Sequence, residues 1–216
     1  MGGMLLKGGP SVIDEITIEG GERIGASQIR MTSSLHVGQV WSSSLQENAL
    51  QALRLLPQIR RVKFQIGRRS QRQVSVNILI EEREPYGIVS LTGRGLFWVD
   101  REGFLLGKVE GKAYLPIVTG VRTVATPQGE QLAPEPARRM LEEFFSLDGR
   151  TILGFTEVRY REYDLELHTR EGGRVLLPVG GVKHYVSQLE PIISALGDSD
   201  WRTLDLRFEG EVILQR

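Results

Sequence analysis

Pro85 constrains this chain more than any other single residue. It follows a run in which Val74, Val76, Ile78 and Ile80 alternate with Ser75, Asn77 and Leu79, and then four charged residues, Glu81, Glu82, Arg83 and Glu84. Alternation at a period of two marks a strand with one face buried. Proline brings no amide to a ladder and restricts the residue before it, so that strand must stop short of position 85. The short strand pattern "GIVSL" that follows must start a different ladder. Residues 83–86 therefore read as a tight joint with little room to swing, built on Glu82, Arg83 and Pro85, between domains at 12–83 and 84–216. Residues 1–11, "MGGMLLKGGP" and Ser11, read as a flexible or truncation-derived N-terminus, too short and too rich in glycine for a signal peptide.

The first domain follows the order strand, helix, helix, strand, strand. Ile16 and Ile18 alternate with Glu15, Thr17 and Glu19, and Gly20-Gly21 closes that strand. Residues 26–35 give a short helix around Ile29 and Leu35. In "SSSLQENALQALRLLP" Ser44 and Glu47 have the spacing of a capping box. Leu45, Ala49, Leu53 and Leu56 then share one helical face, and Pro57 stops the helix. Val62, Phe64 and Ile66 define the next strand. Six basic residues, Arg60, Arg61, Lys63, Arg68, Arg69 and Arg72, crowd the hairpin that follows. They read as a solvated hairpin, with a contact patch as the alternative.

The second domain mixes strands and helices. "VDREGFLLG" reads as a hairpin turning at Asp100 to Gly103, and 113–120 as an extended segment ending in glycine. A helix begins near Pro134 or Pro136, carries Ala137, Met140, Leu141 and Phe144 on one face, and stops at Asp148-Gly149. Strands follow at 152–160, 163–169 and 174–179. A second helix starts near Val182, and Pro191 should kink or shorten it. "TLDLRFEGEVILQ" closes the chain as two short strands around Glu209-Gly210. The fold class is α+β, the second domain carrying an antiparallel-rich sheet.

Chemistry is hard to place on this chain. Basic and acidic residues number 27 each, so the total charge draws it to neither nucleic acid nor anionic lipid. It has no cysteine, which removes thiol nucleophiles and Cys-type zinc sites. His36, His168 and His184 lie at no metal-ligand spacing, and His168 reads as a solvated surface residue. "GRGLFW" and "GGRVLLPVGG" lack the strand–loop–helix setting of a phosphate cradle. No catalytic residue, metal site or cofactor is expected, and no enzyme. No apolar run approaches the roughly 20 residues of a membrane helix. One aromatic of each pair in "FWV" (97–99) belongs in a core. Trp201 reads as a residue capping the core, or alternatively as an exposed anchor for a partner.

With these elements in order, the chain resembles the FtsQ/DivIB family of bacterial cell-division proteins. Four motifs carry the resemblance: Glu82, Arg83 and Pro85 after a strand; "FWVDREG" (97–103); Leu115, Pro116 and Gly120; and Asp205, Leu206 and Arg207. The family's proline in the second hairpin of the first domain is missing from "GRRSQRQ". The resemblance implies a POTRA domain at 12–83 and an FtsQ-type β domain at 84–216. It implies a divisome scaffold on the extracytoplasmic side of the cytoplasmic membrane at the septum, with a single membrane anchor upstream. Its partners would be FtsB/DivIC-like and FtsL-like proteins, with other divisome proteins met through the POTRA domain, and its role to help regulate septal peptidoglycan synthesis. The family docks its FtsB-like partner at the C-terminal strand. That agrees with the sequence itself, where strand 211–215 should be a sheet edge with apolar Val212, Ile213 and Leu214. The partner-binding residues expected are Trp201, Phe208, Gly210, Glu211, Val212, Ile213 and Leu214, with Val212 and Leu214 on one face. The alternative reading is a POTRA-type chaperone or docking module of an outer-membrane assembly or secretion machine.

Overall fold

The computed structural model describes residues 10–133, 135–196, 201–208 and 210–215. The chain forms two compact units, Met1–Arg83 and Glu84–Arg216. The architecture is α+β in mixed sheets.

The first unit runs β1 (Val12–Glu19), α1 (Ala26–Ser33), α2 (Ser43–Arg54), β2 (Ile59–Arg68) and β3 (Gln73–Glu82). Its sheet has the order β1-β3-β2. The strand with the strictest alternation, β3, takes the centre, parallel to β1 and antiparallel to β2. Two parallel strands need a long crossover, and α1 and α2 supply it. Val74, Val76, Ile78 and Ile80 are buried with Ile29, Ala49, Leu53 and Val62, and Ile16 packs against the same cluster.

Two local expectations change. Ser42, not Ser44, caps α2: its side chain accepts from the Leu45 amide at 3.1 Å, and Ser44 lies inside the helix. Several serines in a row make this choice ambiguous by spacing alone. Strand β3 also runs on through Glu81 and Glu82, which pair with Arg61 and Ile59 of β2. Those carboxylates have tasks within the unit. Glu82 Oε1 accepts from the Ile24 amide at 2.8 Å, and Glu81 faces Arg60 at 3.3 Å. The Arg83 amide donates to Gln58 O at 2.7 Å, so the ladder's last bond falls just before Pro85.

The second unit begins with β4 (Gly87–Leu91), β5 (Gly95–Val99), β6 (Leu105–Lys108) and β7 (Ile117–Thr119). A hairpin of β8 (Arg122–Thr126) and β9 (Gly129–Ala133) forms its own two-stranded sheet. Then come α3 (Glu135–Phe145), α4 (Gly149–Leu153), β10 (Phe155–Tyr160), β11 (Asp164–Thr169), β12 (Arg174–Pro178), α5 (Val182–Leu196), β13 (Thr203–Asp205) and β14 (Ile213–Gln215). Among the described residues nine strands make one sheet in the order β14-β13-β12-β11-β10-β7-β4-β5-β6. Pairing is parallel at β4–β7, β7–β10 and β12–β13 and antiparallel elsewhere. One sheet face carries Val89, Phe97, Val99, Val118, Val158, Leu165, Leu167, Val175, Leu177 and Leu204 into a core with α3 and α5. Of the "FWV" aromatics Phe97 is the buried one and Trp98 is half-buried.

The turn at Asp100 is built as its residues suggest: the Gly103 amide donates to Asp100 O at 3.0 Å and the Phe104 amide to Asp100 Oδ1 at 2.8 Å. Asp148 does not merely end α3. Its carboxylate accepts from the amides of Arg150 and Thr151 and so caps a further helical turn, α4, which delays β10 until Phe155. The 122–133 hairpin escapes sequence reading because its polar alternation is weak. Pro191 lies inside α5 without shortening it. Ile192, Ile193 and Leu196 still pack on the core beyond it, and their burial offsets the lost helical bond. Pro134 lies outside the described residues; α3 starts at Glu135, with Pro136 in its first turn.

The capping assignment is testable. Ser42→Ala should cost about 1 kcal/mol, and Ser44→Ala should stay within about 0.5 kcal/mol of the parent, both read from urea denaturation midpoints. Equal losses would return the cap to Ser44.

Candidate functional site

Where β10 to β14 lie side by side, the face away from the core is polar. Registered pairs place Arg159 beside Glu166, Glu157 beside His168, His168 beside Arg174, Arg174 beside Thr203 and Asp205 beside Ile213. Glu166 is the centre of this face. Its side chain is only 3% exposed, yet Arg161 reaches Oε2 at 2.5 Å and Arg174 reaches Oε1 at 3.5 Å. Arg159 stands 3.9 Å away and also bonds Glu157 at 3.2 Å. His168 Nε2 comes to 3.1 Å from Glu166 Oε1 without hydrogen-bonding geometry. His168 is thus half-buried against a carboxylate rather than solvated, because the flanking strands shield it. Burial pushes the Glu166 carboxyl up, but Arg161, His168 and Arg159 outweigh it and hold the group below the usual glutamate range.

At the end of this face stands β14, paired among the described residues to β13 alone. Leu214 turns towards the core and is half-buried. Ile213 is 40% exposed, Val212 48% and Phe208 51%. The strand expected from Glu211 begins only at Ile213, because β13 ends at Asp205 and offers no earlier partner. Val212 therefore precedes the ladder and does not share a core face with Leu214. Gly210 takes a positive φ of 76°, and the Glu211 amide donates to Phe208 O at 3.1 Å. Glu209, half of the expected turn, lies outside the described residues. Trp201 is half-buried, its ring so close over Gly173 that an added Cβ there would meet it at 2.5 Å.

Arg207 ties this region together. Its Nη2 donates to Asp205 Oδ2 at 2.6 Å, its Nε to Asp205 Oδ1 at 2.9 Å, and its Nη1 to Asp164 Oδ2 at 2.7 Å. These bonds hold Asp205 below the usual carboxylate range and Arg207 above its ordinary value.

The joint residues fall where the two units divide: Glu82 ends β3, Arg83 is buried, and Pro85 is exposed. His36 lies in the connection between α1 and α2, His168 on β11 and His184 on α5, and among the described residues no group of three or more His, Cys, Asp or Glu could hold a metal. An open cleft of about 700 Å³ beside α4 and α5 is lined by Leu147, Phe155, Val186, Leu189 and Ile193 together with polar residues, among them Asp148, Thr151, Lys183 and Glu190; the Thr151 hydroxyl donates to Asp148 Oδ2 at 2.5 Å as part of the α4 cap. Among the described residues no helix is long and apolar enough to cross a membrane. What sequence reading missed is Glu166: its alternation with Leu165 and Leu167 marks it as solvent-facing, and only the neighbouring strands enclose it.

The linkage of Glu166 to pH has a definite sign. Its folded value is depressed, so the unfolded chain takes up the proton more readily, and its contribution is whole above about pH 4.3 and fades as pH falls through the folded value. Glu166→Gln should cost about 1.5–3 kcal/mol at neutral pH and flatten the acid limb of the stability–pH curve. Parallel curves for parent and variant between about pH 5 and pH 3 would contradict this.

No protein-family profile matches this chain. No curated protein matches it in sequence. Among solved structures it is similar to the major extracytoplasmic domain of the bacterial cell-division protein DivIB from Geobacillus stearothermophilus, in its trans isomer. That similarity has a TM-score of 0.39 and 16% identity, over 56% of this chain and 98% of that one.

Proposed function

We propose that this chain is the extracytoplasmic part of a cell-division scaffold of FtsQ/DivIB type, in which the unit ending at Arg83 serves as a POTRA domain and the following unit as the partner-binding β domain. The observation that carries the reading is β14: a partly exposed strand, apolar at Ile213 and Leu214, at the edge of its sheet among the described residues. An edge of that kind templates strand addition unless something occupies it. A partner strand would gain main-chain bonds from β14, and side chains beside Ile213 and Leu214 would set its identity. The resemblance carried by the ordered motifs from Glu82 to Arg207 supports the division setting and implies FtsB/DivIC-like and FtsL-like proteins as the partners. In this reading the chain sits outside the cytoplasmic membrane at the septum, held by an upstream anchor. Val212 and Phe208 flank the docking strand, Gly210 and Glu211 shape its approach, and Trp201 acts mainly by packing over Gly173 against the core.

The test is binding of an FtsB-like extracytoplasmic segment by calorimetry. A proline at whichever of positions 213–215 points its amide away from β13 should weaken binding at least about tenfold, while stability stays within about 1 kcal/mol, because that amide serves no internal bond. Unchanged affinity in that variant would remove the edge from the site.

A further inference from the structure

The geometry of Arg207 points to a positioning role. We infer that the Asp205–Arg207–Asp164 clamp sets the register and order of β14, so that a partner meets a strand already in place. The inference rests on β14 being the docking edge. Arg207 is then a positioning residue, acting through β14.

Little else holds β14. It has three residues, pairs with one strand, and is reached through residues 206–212 rather than a two-residue turn. Pairs of such short strands are marginal by themselves. A tight turn would dictate register, but a longer connection does not. The chain leaving β13 therefore needs another constraint, and Arg207 supplies it. The guanidinium grips both oxygens of Asp205, the residue directly across the ladder from Ile213. Its remaining arm crosses β12 to Asp164 on β11, an interior strand of the sheet. The Arg207 amide adds a third bond to Asp205, at Oδ1 and 3.1 Å, and the Leu206 amide donates to Leu176 O at 2.9 Å. Both carboxylates are largely shielded, with side-chain exposures of 13% for Asp205 and 21% for Asp164. A planar fork bonded on two sides fixes orientation as well as distance. An edge ordered in advance also spares the partner part of the cost of ordering it.

Hydrogen exchange separates this role from general stabilisation. In Asp164→Asn and in Arg207→Met, the amides that β14 donates to β13 should exchange at least about tenfold faster, the factor a charge-assisted hydrogen bond is worth at its low end. Amides of β11 and β12 should keep their protection in Asp164→Asn. Arg207→Lys, which keeps the charge but not the fork, should behave like Arg207→Met rather than like the parent. Exchange in β14 within twofold of the parent in Asp164→Asn, or loss of protection spread evenly over β11 to β14, would overturn the clamp. Binding of the FtsB-like segment is measured alongside. If β14 loosens as described but the parent binds no segment, the clamp stands and the docking reading falls. If the parent binds and β14 does not loosen, the reverse holds.

Discussion

The second unit hangs on β7, three residues placed between β4 and β10 with parallel pairing on both sides. Without it the strands β4 to β6 and β10 to β14 would be separate sheets, each with an open edge in the middle of the unit. Val118 is fully buried at this seam. Gly120 closes the strand with φ +76°, and a Cβ there would come within 2.1 Å of Tyr160 O, so the backbones meet too closely for any side chain. Parallel pairs need crossovers, and the segment from β8 to α4 provides the one that returns the chain to β10 and covers the sheet with α3.

That single sheet has two unlike faces. One is an apolar core in which Phe144 of α3 meets Phe145 and, on β10, Phe155 edge to face. The other, over β10 to β13, is a lattice of charges around Glu166 and Asp205. Burying a carboxylate is costly unless charged partners surround it. Glu166 meets that condition through three guanidinium groups, each about half exposed, which keep one side hydrated while the other grips the acid. The polar face is therefore ordered by a buried anion rather than left to loose surface ion pairs, which contribute little.

The functional reading depends on the same organisation. A sheet edge binds through its backbone, so what matters is where the edge lies and how firmly it is held. Order β14-β13-β12-β11 places the edge one strand beyond the charge lattice. Arg207 joins the two, since it bonds to Asp164 of the lattice strand β11 and to Asp205 opposite the edge residue Ile213.

Much of the architecture is legible in local pattern. Alternation at Val74 to Ile80 marks β3, the stripe from Ala137 to Phe144 marks α3, and Pro85 separates two ladders, because steric limits on proline and the periods of strand and helix act over a few residues. The start of the edge strand is less legible: "EVILQ" looks uniform, yet β14 begins at Ile213 because β13 stops at Asp205. The capping serine, the insertion of β7 and the burial of Glu166 are likewise invisible in sequence. Each depends on which distant segment arrives alongside, and no local propensity specifies that. Sequence by itself determined most of the strands and helices, their order and the place where one sheet ends. Tertiary structure decided the order of strands within the sheet, and with it which charges are enclosed and which backbone is left open at the edge.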